Sequence, residues 1–298
     1  MAERTYHIGA NQHLAPALEP GLHITATPIG NLGDITLRAL ASLAAADVVL
    51  CEDTRVSARL LDRYGIKAIT KPYHEHNAEA VRPAIIDALK NGGAYALISD
   101  AGVPLVSDPG YRLVRACVDE GIKVHSLPGA SSTLTALTLS GLPSDVFTFI
   151  GFLPQKEKAR VDFLTRFKPI PSTLIAFESP HRVLDCLTDI ERVFMNRNMA
   201  LCRELTKLHE EVLRGSAAEI RNLLAERESI KGEIVLVIGP PTDEHETVSD
   251  EVIENAITVA LADHSASKAA SIVSKEFGLA KEDIYARILR RKTDHARP

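Results

Sequence analysis

Three loops in the first half of the chain gather residue types that hold small polar ligands. Thr27-Pro28-Ile29-Gly30-Asn31-Leu32-Gly33-Asp34 is rich in turn formers and links an apolar run to a helical stretch. Ile98 to Gly110 is thirteen residues loaded with Gly, Pro, Ser and Asp, again between a strand-like run and a helical one. Leu127-Pro128-Gly129-Ala130-Ser131-Ser132 sets two hydroxyls at a helix start, where backbone N–H groups and hydroxyls can meet polar ligand atoms. Glu52 ends the next apolar run, twenty-two residues after Gly30, near the spacing of an acid that grips a nucleotide ribose. A dinucleotide site would need G-x-G-x-x-G, and only Gly30 and Gly33 are present. Pro28 also removes a backbone amide where pyrophosphate would want one. The other reading of this turn is a glycine bend that lets helix pack on strand. One such loop is ordinary turn chemistry, whereas three at one sheet edge imply a small-molecule crevice. His74-Glu75-His76 lacks further ligands, so no metal is expected.

The elements that must position these loops are legible as alternating apolar runs and helical periods from Gly21 to Pro128, the pattern of a parallel α/β sheet. Strands are predicted over 22–26, 48–51, 94–98 and 123–127, with helices near 37–46, 55–64, 78–91 and 111–120. Asp108 and Pro109 supply an N-cap and a proline at N1 for the last helix. A second α/β unit follows, with strands over 147–152, 173–177, 199–202 and 234–238. Ser179-Pro180 reads as a helix start, and Ser216-Ala217-Ala218-Glu219 as a capping box. The expected domains are a flexible segment over 1–20, α/β domains over 21–130 and 131–239, a linker over 240–249, and a small helical module over 250–298. That last region carries a charge gradient: residues 241–263 hold seven acids and no Lys or Arg, and residues 264–298 hold eight Lys and Arg against four acids. Within it, Ser265 opens one predicted helix, Gly278 breaks it, and a second carries Ile284, Ile288 and Leu289. Two such helices make a helix-turn-helix shape.

Composition narrows the function classes. At 298 residues, 45% apolar and 24% charged, the chain is an ordinary globular one of two or three domains and not a disordered tail. No window approaches 18 uncharged apolar residues, so no transmembrane helix is expected. The first twenty residues lack an apolar signal core. The four cysteines show no C-x-x-C pair, and reduced core thiols in a cytoplasmic protein are expected. A net charge of −5 excludes a polycation that coats nucleic acid, though not a local basic patch.

The runs ATPIGNLGDITLRAL, CEDTR, YHEHN, SDAGVPLVSDPGYRLVRA, PGASS, GFLPQK, ESPHR, RELTKLHEEVLRG and KGEIVLVI appear in order from about Leu22 to Ile238. Together they resemble the tetrapyrrole methylase superfamily, in its ribosomal RNA-methylating branch. SDAGVPLVSDPGYRL and RELTKLHEE set that branch apart from the porphyrin-modifying and diphthamide-forming ones. SASKAASIVSKEFGLAKEDIYARILRRK resembles the helix-turn-helix module that closes many members.

The resemblance implies two α/β domains with the ligand cleft between them, S-adenosylmethionine as methyl donor, and the ribose 2′-hydroxyl of a cytidine in the decoding region of 16S ribosomal RNA as acceptor. It also implies a homodimer. Donor contacts are expected from Pro28, Ile29, Gly30, Asp100, Val103, Pro104, Ser131, Ser132, Phe177, Leu205, Glu233 and Ile234. Porphyrin-modifying relatives show G-D-P where this chain has Gly102-Val103-Pro104, so Asp100 is the acid left to serve that loop. Methyl transfer from a sulfonium needs chiefly alignment, plus help for the hydroxyl proton. Asp100, Glu52 and Glu178 are the foremost candidates for that help, with Asp53, His181, Glu204 and Lys207 also near the cleft. Arg55, Arg59 and Arg63 share a helix face, and Lys156, Lys158 and Arg160 follow the GFLPQ turn. With Arg203, Lys207, Arg214, Arg287, Arg290, Arg291 and Lys292 they are candidate RNA contacts, read against the plain alternative of solvated helix faces. Absence of Trp favours recognition of RNA shape and phosphate over base stacking. Two other functions fit parts of the pattern: a tetrapyrrole or other small-molecule methyltransferase, or a non-catalytic ribosome assembly factor bound to the small subunit.

Overall fold

The polar text of the first twenty residues hides a hairpin. In the computed structural model, which describes residues 4–106, 110–195, 197–241, 250–277 and 280–294, β1 (Thr5–Ile8) pairs antiparallel with β2 (Asn11–Leu14). The expected flexible segment over 1–20 is therefore corrected. Tyr6 and Ala15 are buried against the first core, and the His7 N–H donates to the Tyr64 carbonyl at 2.8 Å. One inward face sufficed, although most of the hairpin's side chains are polar.

The first sheet then builds in chain order from β3 (Gly21–Thr25), α1 (Leu37–Ala45), β4 (Val48–Cys51), α2 (Thr54–Arg63), β5 (Thr70–Pro72), α3 (Ala78–Lys90), β6 (Ala94–Leu97), α4 (Tyr111–Asp119) and β7 (Val124–Leu127). Its order is β5-β4-β6-β3-β7, every pairing parallel. Parallel strands need both faces covered, which is why β3 and β4 are buried along their whole length. α1, α2 and the hairpin cover one face, around Val49, Cys51 and Ala96. α3 and α4 cover the other, around Leu22, Leu50 and Cys117. Asp108 and Pro109 lie outside the described residues; α4 starts at Tyr111 with Gly110 as its N-cap.

The second sheet follows: α5 (Ser132–Ser140), β8 (Phe147–Phe152), α6 (Glu157–Thr165), β9 (Thr173–Glu178), α7 (Val183–Phe194), β10 (Met199–Arg203), β11 (Glu211–Gly215), α8 (Ala217–Ala225) and β12 (Ile234–Ile238). Its order is β11-β10-β12-β9-β8, and only β8–β9 is parallel. α6, α7 and α8 bury one face around Cys186 and Leu236; α5 packs on the other with Ala200, Cys202 and, from the first sheet's loops, Ile29. The capping box forms with both bonds, Glu219 N–H to Ser216 Oγ and Ser216 N–H to Glu219 Oε2. Ser179-Pro180 does not open a helix: α7 begins at Val183, capped by Arg182 without a side-chain bond.

Residues Met1–Pro240 form one compact unit holding both sheets, and Pro241–Pro298 form another. The described residues of the second unit form three helices where two were expected: α9 (Asp250–Asp263), α10 (Ala266–Phe277) and α11 (Lys281–Asp294). Their core is Ile253, Ile257, Ala269, Ala270, Val273, Ile284 and Ile288. Gly278 and most of the linker lie outside the described residues.

Candidate active site

In the first sheet β3 and β6 are neighbours, yet the chain leaving β3 runs to β4 on one side and the chain leaving β6 runs to β7 on the other. Loops that part in this way open a crevice at the carboxyl ends of the strands. A reciprocal backbone pair spans its base: the Thr27 N–H donates to the Gly102 carbonyl at 2.9 Å, and the Gly102 N–H to the Thr27 carbonyl at 3.1 Å. The Thr27 hydroxyl adds a bond to the Ser99 carbonyl at 3.1 Å. The loop after β6 is thereby tied to the first βα turn. From the second sheet, Glu178 at the end of β9 pairs with Ile234 at the start of β12, which in turn pairs with Arg203 at the end of β10. Three strand ends thus face the crevice together.

Two neighbouring cavities of similar size result. The first, about 410 Å³, is lined by Ile29, Asp100, Val103, Ser131, Ser132, Phe177, Leu205, Glu233 and Ile234, all expected as donor contacts. Glu178, Phe152 and Pro180 also line it. The second, about 420 Å³, holds the other face of the first turn, Pro28 and Gly30, with Val56, Arg59 and Lys207. Ile29, Asp100, Ala101 and Glu233 belong to both walls. Two expected donor contacts, Pro28 and Gly30, therefore sit on the second cavity and not the first. Pro104 lines neither, and it is buried. Phe152 was missed. It ends a strand, is 58% exposed, and sets its ring edge-on to Phe177 at 5.3 Å; the signal was an aromatic just before the turn formers of GFLPQ.

The two hydroxyls at the start of α5 are not equivalent. Ser131 is the N-cap, accepting from the Leu134 N–H at 3.4 Å and sharing a hydrogen bond with Thr133 at 2.8 Å. Ser132 makes no side-chain hydrogen bond in the described chain and lines the cavity. Ser132→Ala should therefore weaken donor binding, by about 1 kcal/mol for one neutral hydrogen bond. Ser131→Ala should chiefly cost helix stability, also about 1 kcal/mol. Calorimetry of donor binding beside thermal melts separates the two; equal loss of affinity in both variants would count against the distinction.

The candidate acids sort by environment. Asp100 accepts the Asp53 N–H on Oδ1 at 3.2 Å and stands on the wall common to both cavities. Burial, then the charge of Asp53, raise its pKa above the ordinary value. Glu52 is also raised, by burial and then by Asp100, but lines neither cavity. Asp53 caps α2 and grips Arg55 at 2.7 Å, which holds its carboxyl down at about 2. Glu178 is buried; its Oε1 takes the Ser179 N–H at 2.7 Å and Arg182 at 2.5 Å, while its buried Oε2 has no hydrogen-bond partner among the described residues. His181 is exposed and lines neither cavity. Glu204 is held down by Lys207 and the Glu233 N–H. Lys207, at 2.7 Å from Glu204 and 3.2 Å from Glu233, is kept protonated by both despite its partial burial, and so acts as a cation.

The basic candidates divide as well. Arg160 is corrected outright: it is 3% exposed, paired with buried Asp189 at 2.7 Å, and donates to the Pro154 and Gln155 carbonyls. It holds the GFLPQ turn, and losing Asp189 alone would strand a buried charge at roughly 3–5 kcal/mol. Lys156 is exposed and lies at the N-cap of α6, while Lys158 pairs with Asp162. Arg203 pairs with Glu211, and Arg214 donates to the Ser140 and Leu139 carbonyls. Arg55 is exposed beyond its tie to Asp53. Arg59 is exposed and without a hydrogen-bond or ion-pair partner among the described residues. In the second unit Arg287 is half-buried and Arg290 exposed, whereas the side chains of Arg291 and Lys292 lie outside the described ones. Among the described residues no cluster of three metal-ligating side chains occurs, and no helix is long and apolar enough to cross a membrane.

Comparison with known proteins meets this geometry. The tetrapyrrole (corrin/porphyrin) methylase family matches residues 21–221, and the RsmI C-terminal HTH domain matches residues 246–292. A Mesorhizobium japonicum protein named ribosomal RNA small subunit methyltransferase I is 50% identical over 286 residues, spanning 96% of this chain and 97% of that protein. The crystal structure of uroporphyrin-III-C-methyltransferase from Thermus thermophilus superposes with a TM-score of 0.54 at 20% identity, covering 78% of this chain and 98% of that one. The same enzyme complexed with S-adenyl homocysteine gives 0.50 at 19% identity, over 73% and 96%. With its two sheets, its crevice and its C-terminal helices, the chain belongs to the tetrapyrrole methylase family, among the proteins named ribosomal RNA small subunit methyltransferase I.

Proposed function

We propose that the chain transfers a methyl group from S-adenosylmethionine to the ribose 2′-hydroxyl of a cytidine in the decoding region of 16S ribosomal RNA. The observation that carries the reading is the common wall: Ile29, Asp100, Ala101 and Glu233 face both cavities, so groups held in each can meet there. The first cavity fits the donor. Its volume lies in the range of small-molecule sites, its wall is mostly apolar, and Ser132 offers an unused hydroxyl. When bound, the donor supplies an electrophilic methyl carbon on a sulfonium, a good leaving group. Ile29, Val103, Phe177, Leu205 and Ile234 exclude water from it. Asp100 takes the hydroxyl proton on the carboxyl oxygen not bonded to Asp53, and its raised pKa suits that task. Lys207 keeps positive charge beside the second cavity, favouring a developing alkoxide. The names of the relatives and the matched C-terminal domain support an RNA acceptor on the small ribosomal subunit. On this reading the protein is a cytoplasmic homodimer, which sedimentation of the pure chain tests.

The deciding experiment incubates the protein with radiolabelled S-adenosylmethionine and, separately, small ribosomal subunits, naked 16S RNA and uroporphyrinogen. Label in RNA that also blocks alkaline cleavage at one cytidine supports the reading, since a methylated 2′-oxygen cannot attack its phosphate. Label only in the tetrapyrrole would replace it. The second unit should engage phosphates: a chain ending at Gly239 should keep donor affinity but bind subunits more weakly. Its plot of log affinity against log salt should be shallower, by about 0.7–0.9 for each phosphate that the second unit neutralises. Superimposable salt series for the two chains would deny the second unit that role.

A further inference from the structure

The turn joining β10 to β11 is strained, braced, and tipped by an apolar side chain that packs on nothing. Glu204 and Thr206 have φ of +53° and +66°, two of the four described non-glycine residues in the left-handed region. For β-branched Thr206 that conformation is an outlier, and such strain persists only where the surroundings over-determine it. Here they do. The Glu204 N–H donates to the Glu233 carbonyl at 3.0 Å, Glu204 Oε1 takes the Glu233 N–H at 2.9 Å and the Lys207 ammonium at 2.7 Å, and the Thr206 N–H donates to Glu210 at 2.6 Å. The bracing directs Leu205 into the first cavity and Lys207 onto the second. The next residue, Leu208, is 92% exposed, the highest value among the described large hydrophobic side chains.

An apolar side chain left in water at the tip of a rigid turn, beside a cavity, is suited to a partner that brings an apolar face. The second cavity specifies which. Its wall carries unpaired Arg59, a ready partner for phosphate, and partly exposed Leu32 and Val56. Phosphate next to a flat apolar ring is the chemistry of a nucleotide. A ribose in a folded RNA reaches the wall of a cavity only if its nucleotide leaves the stack, which opens a gap between its neighbours. Proteins hold such gaps with apolar wedges. We propose that Leu208 is a wedge that fills the stack position vacated by the acceptor nucleoside as its sugar enters the second cavity. This rests on RNA being the acceptor.

The test uses the full-length protein with Leu208→Ala and the conservative Leu208→Met. Substrates are intact small subunits and a short unstructured oligonucleotide copied from the methylated site. Leu208→Ala should lower kcat/KM on subunits about tenfold more than on the oligonucleotide, where no stack need open, and Leu208→Met should restore most of it. A 2-aminopurine placed beside the acceptor in a folded RNA should brighten with wild type and stay dim with Leu208→Ala. Equal losses on both substrates, or no loss on either, would overturn the wedge. So would a change in sedimentation between wild type and variant, which would make Leu208 a subunit contact. If wild type itself neither methylates RNA nor changes the fluorescence, the RNA reading falls first and the wedge with it.

Discussion

Replacing Asp100 by Asn should lower the single-turnover rate of methyl transfer by about 10²- to 10⁴-fold, the span associated with losing a positioned base. Donor affinity should change little, because the variant alters protonation rather than shape. Asn keeps an oxygen for the Asp53 N–H, so the loop after β6 should stay in place. The pH dependence gives an independent sign. A base works only when deprotonated, so the wild-type rate should rise with pH through the Asp100 pKa and then level. Since burial pushes that pKa upward, the acid limb should lie above the pH at which a free aspartate titrates. Rapid-quench measurements from acid to neutral pH would read both effects. Wild-type rates in Asp100→Asn across that range would mean that alignment of donor and acceptor drives the reaction without this carboxylate. Glu52→Gln should have the smaller effect of the two, because Glu52 lines neither cavity.

Gly30→Val should also lower transfer, by about tenfold or more, and should cost roughly 1–3 kcal/mol of stability. Gly30 has φ of +149°, and a Cβ there would meet Lys207 Cγ at 2.5 Å and Thr206 Oγ1 at 3.0 Å. A branched side chain must therefore push Lys207 off its two carboxylates and lift the turn after β10. Gly30→Ala with Lys207→Ala isolates the contact, since truncating Lys207 removes the clashing Cγ. The double variant should be more stable than the sum of the single effects predicts, by about 0.5–3 kcal/mol. Strict additivity in denaturant melts would show that backbone conformation alone, and not the approach of Lys207, requires glycine.

Much of this site was legible because parallel sheets write themselves plainly. β3, β4 and β6 are buried on both faces, so their sequences are short apolar runs ending in turn formers, and the ligand edge follows from the topology. Edge elements escape this logic. β5 is three residues ending in proline, β11 carries Glu211 and Arg214, and the first hairpin is mostly polar, because one side of each meets water. The roles of charged residues were least legible. Arg160 looked like the members of an exposed patch, but its partner Asp189 lies 29 residues away on α7 and no local spacing reveals it. Likewise Ser131 and Ser132 are adjacent and chemically identical, and only the start of α5 decides which hydroxyl is spent on the helix. Pro28 and Gly30 were grouped with Ile29 by proximity in the chain, whereas the turn presents them to a different cavity.

The four cysteines give the molecule an internal set of gauges. Cys51 and Cys117 lie on opposite faces of the first sheet, and Cys186 and Cys202 on opposite faces of the second, one thiol in each of the four apolar layers. All are free and buried, and burial raises every one, Cys117 and Cys202 to about 11. A thiol alkylates as thiolate, so in the closed protein all four are doubly silent. Each reacts only when its own layer parts, and the rate of modification at each site reports the free energy of that local opening. Mass-resolved alkylation of the unmodified chain therefore ranks the four layers by cohesion. It also shows which of them a bound donor fastens: Cys202 shares its layer with Ile29 and Leu205 of the first cavity's wall, whereas Cys186 lies across the sheet from it.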